Sequence, residues 1–95
     1  MLKIVAKMLV KAENVDEFKA LAKDLVTKSR AESGNVFYSL NQSVANPGEL
    51  VFIECWKDQA AIDAHNATEH FRTTLPKLAA LCESAEPAAI FREID

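Results

Sequence analysis

The sequence predicts an α+β fold of the ferredoxin-like kind, βαββαβ, as one domain over residues 1–95. Three observations lead there. Apolar residues recur with period two in four segments and with the 3.6 period of a helix in a long segment between the first two. The segments follow one another as strand, helix, strand, strand, helical region, strand, which is the ferredoxin-like order. The tetrapeptide Asn46-Pro47-Gly48-Glu49 is a turn signal that makes the middle strands a hairpin. A chain of 95 residues has room for one such unit.

The first strand covers Leu2 to Val10. Leu2, Ile4, Ala6, Met8 and Val10 share one side, opposite Lys3, Val5, Lys7 and Leu9. Asn14 then opens a helix, with Glu17 three residues on as in a capping box. Phe18, Leu21, Ala22, Leu25, Val26 and Ser29 form its apolar stripe. Gly34 ends it, read as a left-handed residue just past the helix. Val36 to Val44 is the second strand, with Tyr38 and Leu40 opposite Phe37 and Ser39. Gly48 is expected to supply a positive dihedral in the hairpin turn. Leu50 to Trp56 is the third strand. Leu50, Phe52, Glu54 and Trp56 oppose Val51, Ile53 and Cys55, so both faces read as covered and the strand as central.

Asp58 caps a second helix over Gln59 to about Asn66, and Thr68 caps another with Glu69 in its first turn. Pro76 predicts a kink there, or the first turn of a further helix capped by Thr73 or Thr74. Pro87 closes the helical region, and Ala88 to Ile94 is the fourth and last strand. Helices should cover one face of a four-stranded antiparallel sheet. The other face carries Val5, Leu9 and Phe37, and an apolar open face predicts a sheet-on-sheet homodimer.

Composition narrows the function. Net charge is −3, from 14 acids and 11 bases, which argues against nucleic acid and against an anionic membrane surface. Lys3, Lys7 and Lys11 interrupt any apolar leader, and no run reaches the length of a membrane span. Cys55 and Cys82 are too few for a disulfide scaffold and lack CxxC spacing, so the chain reads as cytoplasmic with reduced thiols. Both cysteines read as small buried hydrophobes rather than nucleophiles.

The chemistry concentrates between residues 54 and 71. Glu54-Cys55-Trp56-Lys57-Asp58 is followed by His65 and then Thr68-Glu69-His70-Phe71, which takes in both histidines of the chain. Histidine can act as acid or base near neutral pH without large tuning. His65 and His70 are five positions apart, about 140° around one continuous helix, so no metal site is expected. Trp56 and Tyr38 join a polar handle to an aromatic body, and Phe52 and Phe71 extend an aromatic lining suited to a planar organic ligand. The alternative for these aromatics is a plain core. No glycine-rich loop is present to cradle a phosphate, and no cofactor is expected by that route.

These residues carry a resemblance. Glu54-x-Trp56-x-Asp58, then Ala60-Ala61 before His65, then Thr68-x-His70-Phe71 resembles the pattern typical of the antibiotic biosynthesis monooxygenase family. Glu32-Ser33-Gly34 resembles that family's E-x-G turn before the second strand. The resemblance implies a dimeric α/β barrel, two ferredoxin-like protomers packed sheet to sheet. Known activities of the family include cofactor-free oxygenation of quinols and anthrones, haem degradation, and processing of a phosphorylated autoinducer-2 signal. The positions matching the haem degraders' Trp, His and Asn are here His65, about Leu75, and Ala6 or Lys7, and all depart. The autoinducer-2 branch carries histidines where His65 and His70 stand, with Lys57 and Arg72 as candidate phosphate anchors. The quinol branch fits Trp56 and the phenylalanines best.

The sequence therefore reads as a cofactor-independent monooxygenase acting with O2 on a quinol or polyphenol. His65 is its base, His70 assists, Trp56, Phe52 and Phe71 sandwich the ring, and Tyr38 bonds a substrate oxygen. Two other readings stand beside it: an isomerase or degrading enzyme for a phosphorylated dicarbonyl, and a non-catalytic ligand-binding dimer.

Overall fold

The computed structural model describes residues 1–95. It comprises β1 (Leu2–Val10), α1 (Val15–Arg30), β2 (Asn35–Gln42), β3 (Glu49–Trp56), α2 (Gln59–Asn66), α3 (Glu69–Ala80), β4 (Cys82–Ala85) and β5 (Ala89–Arg92). All strand pairs are antiparallel, in the order β2-β3-β1-β4, with β5 also on β1. This is the ferredoxin-like arrangement, with five strands where four were expected.

The extra strand comes from dividing the last one. β4 pairs with the C-terminal part of β1 (Met8 with Ala85) and β5 with its N-terminal part (Val5 with Ala89). Between those two pairs, β1 spends Ala6 and Lys7 while the other side spends Glu86, Pro87 and Ala88. One residue is thus in excess, which makes a bulge. Pro87 has no N–H for the ladder, and an edge is where a sheet tolerates that. The Glu86 amide still reaches the Lys7 carbonyl at 3.0 Å. Cys82–Ala85, assigned to the helical region from sequence, is therefore β strand.

The helices lie on one face of the sheet. Ile4, Met8 and Val10 of β1, Tyr38 of β2, and Leu50, Phe52 and Trp56 of β3 meet Phe18, Ala22, Leu25 and Val26 of α1, Ile62 of α2 and Leu78 of α3 in one core. The period-two and 3.6-residue patterns thus face each other as their spacing requires.

Three local expectations are corrected. Asn14 makes no side-chain cap on α1. A short 3₁₀ turn, Ala12–Asn14, precedes that helix, and the Asn14 amide instead donates to the Leu81 carbonyl across the chain. Neither glycine has a positive φ. Gly34 is required by space, because a Cβ there would collide with Ala61 on α2. Gly48 lies 3.0 Å, measured from its would-be Cβ, from the Val10 carbonyl oxygen, and the Asn46 side chain accepts from its amide. Pro76 does not open a further helix capped by Thr73 or Thr74, since α3 runs from Glu69 to Ala80 with Pro76 inside it. Pro76 and Arg72 are both exposed, so water can satisfy the carbonyl that Pro76 leaves without a donor. The caps at Asp58 and Thr68 form as expected, accepting from the amides of Ala61 and Phe71.

The opposite face of the sheet is uncovered. Its rows run Phe37–Cys55–Lys3–Phe91, then Ser39–Ile53–Val5–Ala89, then Asn41–Val51–Lys7. Phe37, Ile53 and Phe91 are exposed on it. The central strand β3 is therefore covered on one side in the single chain, not on both. No helix is long and apolar enough to cross a membrane.

Candidate active site

A cavity of about 390 Å³ lies between the helix-facing side of the sheet and α2–α3. β1 contributes Ile4, Ala6 and Met8 to its wall, and β2 and β3 contribute Tyr38, Phe52 and Glu54. The helices add Ile62, His65 and Phe71, and the bulge at Glu86-Pro87-Ala88 forms one side. Most of the lining is apolar, and none of it is lysine or arginine.

His65 is almost completely buried on α2. Its ring lies 4.4 Å from the Trp56 ring, centroid to centroid, and 5.0 Å from Phe71 in edge contact. Tyr38 is 5.6 Å away. The two imidazole nitrogens have different fates. Nδ1 is 2.7 Å from Glu32 Oε2, whereas Nε2 is buried with no protein partner. A carboxylate accepts only, so Nδ1 carries the hydrogen and Nε2 presents a lone pair. This is the orientation in which a carboxylate holds a histidine as a base. Burial lowers the His65 pKa from its ordinary value, and the Glu32 contact opposes that shift, so the ring is neutral at pH 7.

His70 meets the same carboxylate oxygen, with Nε2 2.8 Å from Glu32 Oε2. As the two caps imply, the histidines lie on separate helices, α2 and α3, parted by the turn at Ala67 and Thr68, so the angle for one continuous helix does not describe them. That turn is built by Thr68, whose hydroxyl donates to the His65 carbonyl at 2.7 Å and accepts from the Phe71 amide. The donor atoms of Glu32, His65 and His70 lie within 4.8 Å of one another, a set that could in principle hold a transition metal. Here one oxygen sits at hydrogen-bond distance from both nitrogens, so the trio forms a hydrogen-bonded hub.

Glu32 was not singled out as a site residue, although the E-x-G resemblance contained it. Its position follows from Gly34. With no side chain there, the turn after α1 presses against Ala61, and the Lys57 amide bonds the Gly34 carbonyl at 3.0 Å. Glu32 is thereby carried over the start of α3 and the end of α2.

Glu54 opens the cluster singled out in the sequence but was given no role there. It is buried on β3, and its Oε1 accepts from the Trp56 indole N–H at 2.9 Å. No lysine, arginine or histidine forms an ion pair with it. Burial, opposed by the Trp56 hydrogen bond, raises its pKa to about 7, with the nearby Glu32 charge adding to the rise. Burial first, then the Glu54 charge, also pushes the Tyr38 hydroxyl well above its ordinary value, so Tyr38 stays protonated.

The predicted residues divide accordingly. His65, Tyr38, Phe52 and Phe71 are on the cavity wall. Trp56 is fully buried behind it, against His65 and Glu54, so it supports those two side chains rather than facing the cavity space. His70 borders an outer groove with Asp24, Lys28 and Glu69, on the far side of the Glu32 hub from the cavity. Cys55 is buried, as read, and Cys82 half-buried.

Fold and cavity together define a ferredoxin-like α+β protein with a histidine–carboxylate pair at an apolar cavity. The chain belongs to the antibiotic biosynthesis monooxygenase family, whose sequence profile matches residues 1–77. It is 42% identical over 77 residues to the Bacillus subtilis (strain 168) protein named "Putative monooxygenase YcnE", covering 81% of each chain. A crystal structure of an antibiotic biosynthesis monooxygenase superposes with a TM-score of 0.94 at 36% identity, over the whole of both chains. A conserved protein from Methanosarcina mazei Go1 gives the same TM-score at 34% identity, covering 98% of this chain and 92% of its own. Family and relatives support a monooxygenase-like role.

Proposed function

We propose that this protein is a cofactor-independent monooxygenase of a neutral quinol or polyphenol. One observation carries the reading: His65, a residue of the apolar cavity wall, has one nitrogen held by Glu32 and the other buried without a partner. A phenolic hydroxyl placed there gives its proton to Nε2. The imidazolium that forms is balanced by the carboxylate at 2.7 Å. The phenolate is electron-rich enough to pass an electron to O2, so the substrate supplies the reducing power. Phe52 and Phe71 offer flat apolar surface to the ring, and Tyr38 offers a hydroxyl to a substrate oxygen. The apolar wall keeps water from the reactive anion.

A phosphorylated dicarbonyl suits this cavity less well. It would bring negative charge to a wall that carries Glu54 and Glu86 and no cation. Lys57, one of the candidate anchors, borders a separate outer groove. For the whole assembly we infer a homodimer in which a second copy covers the open sheet face, because Phe37, Ile53 and Phe91 make that face apolar.

The test is oxygen uptake by the purified, metal-free protein with a panel of quinols and anthrones. His65→Ala and His65→Gln should lower turnover by about 10²- to 10⁴-fold, the usual worth of a placed base. Full turnover in both variants removes His65 from the mechanism. Uptake no faster than autoxidation across the panel overturns the oxygenase reading in favour of ligand binding alone.

A further inference from the structure

We propose that Glu54 is the proton donor of this cavity, the acid that works together with the His65 base. The assignment rests on the oxygenase reading only for its electron acceptor, O2. Its structural basis is separate. Glu54 is a buried carboxyl on the wall of an apolar cavity, with no cation to balance a charge, and the one hydrogen bond it makes in the protein is at Oε1. A carboxyl in such a place keeps its proton to a higher pH than usual, and a protonated carboxyl donates.

The groups facing it agree. β1 pairs Ile4 with Glu54 and brings no charge. β2 brings Tyr38, protonated, and α2 brings His65, neutral. α3 presents Phe71 and Leu75 to the cavity, and the bulge presents Glu86. Glu32, beyond α1, adds a further negative charge. The Trp56 indole N–H favours the ionised form, but burial outweighs it and the Glu32 charge adds to burial, so the balance at Glu54 lies toward its protonated form. Burial drives the two titrating groups in opposite directions: the histidine keeps a free lone pair while the carboxyl keeps its proton. An acid and a base can then coexist at one pH, which is how paired catalytic groups are recognised.

The chemistry balances with these two groups. His65 Nε2 takes the hydroxyl proton of the substrate. One electron passes from the anion to O2, and the two radicals join, forming a C–O bond at a ring carbon that bears hydrogen. The outer oxygen of the peroxide anion takes the Glu54 proton. The O–O bond then breaks as that carbon gives its hydrogen, as a proton, to the Glu54 carboxylate, and its electrons close a C=O bond. The departing hydroxide takes the proton held by His65 and leaves as water. In sum, the substrate loses two hydrogens and gains one oxygen, O2 is reduced to that oxygen and water, and both side chains are restored.

The chain has a built-in reporter. Trp56 is its only tryptophan, and the indole N–H donates to Glu54. Emission of the wild-type protein should therefore titrate with a midpoint near pH 7. Glu54→Gln preserves an acceptor for Trp56 but cannot ionise, so it should lose that transition and keep any lower one due to His65. In oxygen uptake, the wild type should lose kcat above about pH 7, while Glu54→Gln should be at least about 10²-fold slower at pH 6.5, without that alkaline limb and with KM nearly unchanged. Glu54→Asp, which can still ionise, should recover part of the rate.

Emission that shows no Glu54-dependent transition between pH 5 and 9 overturns the proposal. So does Glu54→Gln turning over at the wild-type rate. If the transition is present but the wild type consumes no oxygen with any quinol, the oxygenase reading fails and the assignment of Glu54 as the neutral acid of the cavity stands.

Discussion

His65 and Glu54 show how one buried environment sets two protonation states in opposite senses, and stability should record both. The folded pKa of Glu54 is about 7, above its ordinary 4.5. Between those values the folded state holds a proton that the unfolded state has released, so stability falls as pH rises through that window and levels off above it. A rise of this size corresponds to roughly 3 kcal/mol. His65 is shifted down, so its contribution is lost in the other direction, as pH falls below the ordinary histidine range. Urea unfolding at pH 5 and pH 8 should show the wild type losing stability relative to Glu54→Gln on going to pH 8. Equal pH dependence in the two proteins would mean that Glu54 is ionised when folded. At the hub, Glu32→Gln removes the charge that opposes the burial effect on His65. Its pKa should fall further, moving the acid limb of activity to lower pH, and NMR titration of the ring reads this directly.

At the scale of elements, the site depends on two junctions. The first is the turn after α1, where Gly34 lies against Ala61. Gly34→Ala should cost about 1–3 kcal/mol through overpacking and should lift Glu32 from the histidines. Ala61→Gly alone should cost about 1 kcal/mol, since glycine is a poor helix former. Combined, the two changes should cost less than their sum, because the second makes room for the first. Additive losses in urea midpoints would show that the contact does not position the turn. The second junction is the break between α2 and α3. A continuous helix would hold His65 and His70 about 140° apart. The turn capped by Thr68 is what lets both imidazoles reach one carboxylate oxygen.

At the scale of the molecule, the sheet separates two functions. One face supports the cavity and the other is left open, with Phe37, Ile53 and Phe91 exposed. If a second copy covers it, Ile53→Lys should shift the protein from dimer to monomer in sedimentation velocity, since two lysines would face a buried two-fold contact. A wild type that sediments as a monomer at tens of micromolar would refute the dimer. The division of the last strand also belongs to this scale. It occurs where Pro87 meets β1, and it places residues 86–88 beside the cavity rather than in the ladder.

Much of the fold was readable in residue order alone. Alternation in β1 and β3, the stripe on α1 and the caps at Asp58 and Thr68 are local patterns whose physics acts within a few residues. His65, Tyr38, Phe52 and Phe71 stood out by their side-chain chemistry and by the family resemblance, and the fold brings all four to one cavity wall. β4 was not legible: Cys82-Glu83-Ser84-Ala85 has no periodic signal, and only the open edge of β1 makes it a strand. The reason for Gly34 was also hidden, because Ala61 meets it only in three dimensions. The same holds for Glu32, which reaches His65 across 33 positions and His70 across 38, and for the raised pKa of Glu54. Local spacing determines which face a side chain takes. Burial and long-range contact decide which proton it holds, and those exist only once the chain has folded.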